Sequence, residues 1–91
     1  MELTRHASNR MQQRGIPPLI MKACIAHGRK KHVGEGAMLY YFNKKTRRHL
    51  EKEWGRPVTR RLLEFLDSYV IVGLDGAVIT TGKHYKRIKA R

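Results

Sequence analysis

Residues 69–81 read YVIVGLDGAVITT, and this stretch constrains the chain more than any other. Asp75-Gly76 stands between two runs rich in β-branched residues. Such a pair closes a two-residue hairpin, because both turn positions need positive φ. Pairing Leu74 with Ala77 places Val70, Val72, Leu74, Ala77, Ile79 and Thr81 on one face. Tyr69, Ile71, Val78 and Thr80 then lie on the other.

Upstream the apolar period changes from two to about four. Leu3, Ala7 and Met11 form a narrow stripe on a first helix. Thr4 can cap it, and Gly15 suits a left-handed stop. Pro17 and Pro18 open a second helix, where a missing N–H costs nothing. Residues 19–26 are apolar almost all round, which predicts a central buried helix ending near Gly28. Residues 29–36 hold two glycines and several charges and read as an exposed loop. Residues 37–43, rich in large apolar and aromatic side chains, read as a strand.

Thr46 can cap a short basic helix that runs through Trp54 and ends at Gly55. Pro57 starts another, in which Val58, Leu62, Phe65, Leu66 and Tyr69 keep the helical period. The expected order is helix, helix, strand, helix, helix, strand, strand. That is an α+β chain, with N-terminal helices packed on a small, mostly antiparallel sheet of three strands. A length of 91 residues suits one domain, here 1–91, closed by a basic tail over 83–91.

The charge is lopsided: 20 Lys and Arg against 7 Asp and Glu give a net of +13. A compact chain repels itself at such an excess, and the usual reason to tolerate it is a polyanionic partner. A pI near 10.6 belongs to the footprint of nucleic-acid binders. Residues 44–61 carry eight basic and two acidic side chains, residues 1–36 seven and two, and the tail five with no acid. One cysteine, Cys24, excludes an internal disulfide and favours a reducing compartment. The apolar runs are too short to span a bilayer, and no apolar signal core opens the chain. The expectation is a cytoplasmic protein with no membrane partner.

Two groups of residues carry candidate chemistry. His6, Arg10 and Arg14 are spaced by four, so they share one helix face. Stacked cations repel unless an anion lies between them, and the arginine fork matches phosphate oxygens. Thr80, His84, Tyr85 and Arg87 lie at the end of the last strand and just beyond it, where a scaffold presents polar groups to a ligand. Metal-independent RNA cleavage needs a base for the 2′-hydroxyl, an acid for the leaving oxygen and cations on the phosphate. Histidine can take either proton role near neutral pH. His6, His84 and Tyr85 are therefore the candidate catalytic residues, Tyr85 serving to stack a base or donate a proton. Arg10, Arg14, Lys44, Lys45, Arg47, Arg48, Arg60, Arg61, Thr80, Lys83, Lys86 and Arg87 are the candidate nucleic-acid contacts. Rings interleaved with charge suit single-stranded RNA or DNA, and RNA is the favoured polyanion. An acidic protein partner would satisfy the same charge.

No cofactor or metal is called for. Cys24, His27 and His32 leave a tetrahedral site incomplete. Gly34-Glu35-Gly36 is only a fragment of a phosphate-binding motif. The carboxylates are few and scattered, which argues against a two-metal nuclease.

The opening block RHASNRMQQRGIPP resembles the signature of a family of small domains with the pattern His-Ala-x-x-Arg-Met-x-x-Arg-Gly-Ile. LYYFNKK, DGAVITTG and HYKRI are similar to its later blocks. The resemblance covers most of the chain, and the opening block is its most specific part. It implies the fold shared by barnase, EndoU, colicin and RelE-type ribonucleases. It further implies a toxin-like ribonuclease with an antitoxin partner. His6, Arg10 and Arg14 fall in the opening motif; Thr80, His84 and Tyr85 fall in the closing block.

Overall fold

The structure, a computed structural model, describes residues 2–84. Helix α1 (Arg5–Arg14) starts where Thr4 accepts a hydrogen bond from the Ala7 N–H at 3.1 Å. It stops at Gly15, whose φ of 62° lets its N–H reach back to the last carbonyls. Helix α2 (Pro18–His27) has Pro in its first turn and buries Ile20, Met21, Ala23 and Cys24. It is buried on one side only: Leu19 remains 52% exposed. Gly28 ends it at a crossing with the sheet. A side chain there would run into the Cys24 carbonyl and lie 2.9 Å from the Tyr41 carbonyl.

The expected loop over 29–36 is instead a strand and a turn. Strand β1 (Arg29–Gly34) pairs antiparallel with β2 (Ala37–Tyr41). Glu35 and Gly36 both take positive φ, 51° and 76°, the two-residue hairpin geometry. Strand β1 escaped the sequence reading because it is an edge: nearly all its residues are exposed, so it shows no apolar alternation. Its lysines are the usual guard on an unpaired edge.

Helix α3 (Lys44–Trp54) is capped by Asn43 rather than by Thr46. The Asn43 side chain accepts from the Thr46 N–H at 2.9 Å, and the Thr46 hydroxyl accepts from the Asn43 N–H at 2.7 Å. This reciprocal box satisfies two of the backbone donors at the helix start. The helix buries Leu50 completely; such a side chain contributes roughly 1.5–3 kcal/mol through burial.

The long helix expected after Pro57 is broken in two. Helix α4 (Arg56–Arg61) ends at Leu62, and a 3₁₀ turn (Leu63–Asp67) leads into β3 (Ser68–Val72). Of the apolar period, Leu66 is buried and Leu62, Phe65 and Tyr69 are half-buried, while Val58 is 45% exposed. Thr59, not Val58, faces inward, and its hydroxyl donates to the Gly55 carbonyl at 2.9 Å.

Strand β4 (Val78–Lys83) completes a sheet of order β1-β2-β3-β4, every neighbour antiparallel. The expected register holds from Tyr69–Gly82 through Ile71–Thr80 and then slips, because Val72 pairs with Val78. Ile79 is the extra residue of this bulge. Val78 therefore turns into the core and Ile79 out of it, the reverse of the simple alternation. Gly73 N–H bonds the Ala77 carbonyl at 2.9 Å, so the turn holds three residues, Leu74-Asp75-Gly76, rather than the expected two, and only Gly76 of them takes positive φ, 87°. Lys83, expected in the tail, is the last residue of β4.

Ala7, Ile16, Ile20, Met21, Leu50, Leu66, Val70 and Val78 form the centre of one core between the helices and the sheet. Among the described residues, no helix is long and apolar enough to cross a membrane.

Candidate nucleic-acid interface

The two ends of the described chain lie side by side. Leu3 forms a parallel bridge with Val78, and α1 packs along β4. Val78 N–H donates to the Glu2 carbonyl at 2.8 Å, and Thr4 N–H donates to the Val78 carbonyl at 3.0 Å. The Thr4 hydroxyl, already the cap of α1, also donates to the Ile79 carbonyl at 3.0 Å. One side chain thus starts the helix and ties it to the strand. The bulge makes this tie possible by carrying Val78 inward beside Leu3.

The helix bearing His6, Arg10 and Arg14 is in this way brought against the strand bearing Thr80 and Lys83. His6 and Arg14 are exposed. Arg10 is half-buried, and its Nε is enclosed without a hydrogen-bond partner among the described residues. A buried guanidinium N–H without a partner is a costly group that the fold itself does not satisfy.

Residues that pair across a sheet share a face. The register therefore sets Arg29, Tyr41, Tyr69 and Gly82 in one row across all four strands, on the side away from Val70. Lys31, Leu39, Ile71 and Thr80 form the next row on that side. Gly82 is needed there: a side chain would lie 2.9 Å from the Tyr69 hydroxyl and 3.1 Å from its ring. The Tyr69 ring thus lies across β4. His84, one residue beyond the strand, meets the Tyr41 ring edge-to-face, with centroids 6.4 Å apart. Its backbone N–H donates to the Asp67 carbonyl at 2.9 Å, which fixes where the strand leaves the sheet. Tyr41 is buried in this row and Tyr69 half-buried, so Tyr69, with Arg29 and Lys31 on the same side, is the ring there that a base could reach.

The other candidates occupy a different part of the molecule. Lys44, Lys45, Arg47 and Arg48 lie on α3, and Arg60 and Arg61 on α4; these helices pack on each other. Arg47 is engaged within the fold: its Nη2 donates to the Leu66 carbonyl at 3.0 Å and to Asp67 at 2.9 Å. Lys83 lies over the Phe65 ring, its Nζ 5.5 Å from the centroid. Tyr85, Lys86 and Arg87 lie outside the described residues.

Arg47 with Asp67 and Arg56 with Glu51 are the lysine or arginine pairs to carboxylates among the described residues. The remaining described lysines and arginines make no ion pair with a carboxylate among the described residues.

Sequence reasoning missed several groups. His27 and His49 touch across the α2–α3 contact, ring centroids 4.8 Å apart, and His49 sits 3.6 Å from Glu53. Only a hairpin signal at Glu35-Gly36 could have shown that Arg29 and Lys31 share a sheet face with Tyr41 and Leu39. Cys24 is buried, and burial pushes its thiol up to about 12, which disfavours the thiolate that a nucleophile or metal ligand needs. Among the described residues no group of three His, Cys, Asp or Glu side chains is arranged to hold a metal ion.

The sequence matches no family model, no curated protein and no solved structure. The reading of the site therefore stands on its chemistry and geometry.

Proposed function

We propose that this chain is a cytoplasmic RNA-directed protein, a small metal-independent ribonuclease of toxin type. The observation that carries the reading is the packing of α1 along β4, which sets the His6–Arg10–Arg14 helix beside the strand that His84 directly follows. In this reading one histidine takes the proton of a ribose 2′-hydroxyl. The freed oxygen attacks the adjacent phosphorus, and the other histidine protonates the departing 5′-oxygen. Arg10 and Arg14 hold the phosphate oxygens as charge builds on them. Tyr69, half-buried beside Gly82, offers its ring to a neighbouring base, with the buried Tyr41 beneath the same row. An acidic antitoxin would be a natural protein partner for a surface of net +13.

The test is incubation of purified protein with RNA in a chelator. The expected result is cleavage that leaves 2′,3′-cyclic phosphate ends. His6→Ala and His84→Ala should each abolish cleavage while keeping RNA affinity. Equal cleavage by all variants would assign the activity to a contaminant and end the catalytic proposal. A second reading, a non-catalytic RNA- or DNA-binding domain, draws on the ring row and the cations without carboxylate partners. Salt-sensitive binding that is indifferent to both histidine changes, with no cleavage, would select it.

A further inference from the structure

Helix α4 carries two of the expected nucleic-acid contacts, Arg60 and Arg61, away from α1 and β4, together with Arg56, which the sequence reading did not single out. Arg56, Pro57, Arg60 and Arg61 occupy positions i, i+1, i+4 and i+5, so they share one helix face. In the fold they line a shallow, open depression. All three arginines are exposed. Arg60 and Arg61 make no hydrogen bond or ion pair among the described residues. Arg56 is held differently: its Nε donates to Glu51 Oε1 at 3.0 Å, which leaves both terminal nitrogens unengaged. Glu51, on the preceding helix, thus steadies one guanidinium at the rim without neutralising the other two. The Thr59 hydroxyl bond to Gly55, beneath this face, holds the turn that sets Arg56 against Arg60.

Like charges at this spacing destabilise a helix by a few tenths of a kcal/mol per pair when nothing lies between them. Three arginines line one hollow, with a single carboxylate engaged at its edge, and their charge favours an oxyanion. The arginine fork donates in pairs and matches the oxygens of a phosphate group. We propose that the Arg56–Arg60–Arg61 depression is a phosphate-binding site that takes the backbone of an RNA strand. It lies apart from α1 and β4, so it acts as an auxiliary anchor. The RNA assignment rests on the function proposed above; the oxyanion site itself does not.

Two arms separate these claims. In the first, arginine Nε–Hε resonances are followed while inorganic phosphate is added to the full chain. Saturable shifts of Arg56 and of Arg60 or Arg61 are expected, and they should vanish in an Arg60→Gln/Arg61→Gln double variant. Shifts that fail to saturate, or that survive the double substitution, overturn the site. In the second arm, binding of a 20-nucleotide RNA is measured against salt. Removing two phosphate contacts should lower the slope of log affinity against log salt by about 1.4, at about 0.7 per contact with a single strand. Arg60→Lys should weaken binding less than Arg60→Gln, because it keeps charge and loses only the fork. An unchanged slope in the double variant, with the wild type binding normally, overturns the RNA occupant. A wild type that binds no RNA removes the proposed function, and the phosphate titration then decides the oxyanion site alone. Both substituted positions are exposed, and unchanged thermal unfolding checks that the variants fold.

Discussion

Thr4→Val is the sharpest probe of how the two ends of the chain are joined. Valine has nearly the shape of threonine and suits the extended backbone at this position (φ −68°, ψ 163°). The change therefore isolates the hydroxyl. That group accepts from Ala7 N–H at 3.1 Å and donates to the Ile79 carbonyl at 3.0 Å. Losing the cap costs about 1 kcal/mol. The Ile79 bond is exposed, so water replaces the lost donor, and its share is near the lower end, about 0.5 kcal/mol. The sum, about 1.5 kcal/mol, corresponds to a fall in Tm of about 6–12 °C for a domain of this size. Urea unfolding followed by circular dichroism measures the first quantity and calorimetry the second. Thr4→Ser keeps both bonds and should restore most of the loss. A Thr4→Val variant as stable as wild type, or a serine variant as weak as valine, would refute the idea that one hydroxyl joins α1 to β4.

Other outcomes follow from the same structure. Gly28→Ala should cost at least about 1–3 kcal/mol, because the added carbon meets two backbone carbonyls that cannot step aside; an unfolding midpoint within error of wild type would contradict it. Asn43→Ala removes one half of the box that starts α3 and should cost about 1 kcal/mol in urea unfolding. The Cys24 thiol is raised from 9.0 to about 12 by burial, so the unfolded chain ionises first. The stability this group contributes is whole below pH 9 and drains towards pH 12, by up to about 1.4 kcal/mol per unit. Cys24→Ala should fall less steeply over that window than wild type; parallel slopes would exclude the effect. The excess of cations means that raising NaCl from about 0.01 to 0.15 M, which cuts the screening length from about 30 to 8 Å, should raise Tm. A falling Tm would show that self-repulsion is not the dominant electrostatic cost.

Where the sequence could be read, the reason was local chemistry. The first two helices were legible because Thr4, Gly15, Pro18 and Gly28 act within a few residues of themselves. The class of the fold followed from the change of apolar period, and half of the last hairpin register from Asp75-Gly76. What failed depended on distant partners. Strand β1 is held by β2 and buries neither face, so Arg29 to Gly34 had no apolar rhythm to find. The bulge at Ile79 answers to Leu3, which lies at the other end of the chain, and no pattern within residues 69–81 announces it. The helix expected to reach Tyr69 stops because Leu66 and Ser68 are buried as part of the turn into the sheet. At the candidate site the residue types were legible, and the neighbourhood was not. Arg47 read as a free cation, yet its guanidinium is taken by a carbonyl and a carboxylate 19 and 20 residues away.

The way α1 is held decides how the candidate site would behave. The helix itself fully buries only Ala7, with Met11, and Leu3 just before the helix, packed in part. The sheet and α2, by contrast, supply most of the fully buried side chains. An element with so little buried surface opens at a lower free energy than the core it leans on. The bond from Thr4 to Ile79 spans 75 residues of chain, so nothing local re-forms it once it is lost. Detachment of α1 would carry His6, Arg10 and Arg14 away from β4 while the four strands stay paired. A phosphate held jointly by α1 and the β4 end would oppose that opening, since it binds only the closed arrangement. Amides in α1 should then exchange faster than those of β3 in the free protein and slow selectively when RNA is bound. Equal protection of α1 and β3 without ligand would mean that the helix is fixed by more than its visible contacts, and the coupling between binding and closure would fail.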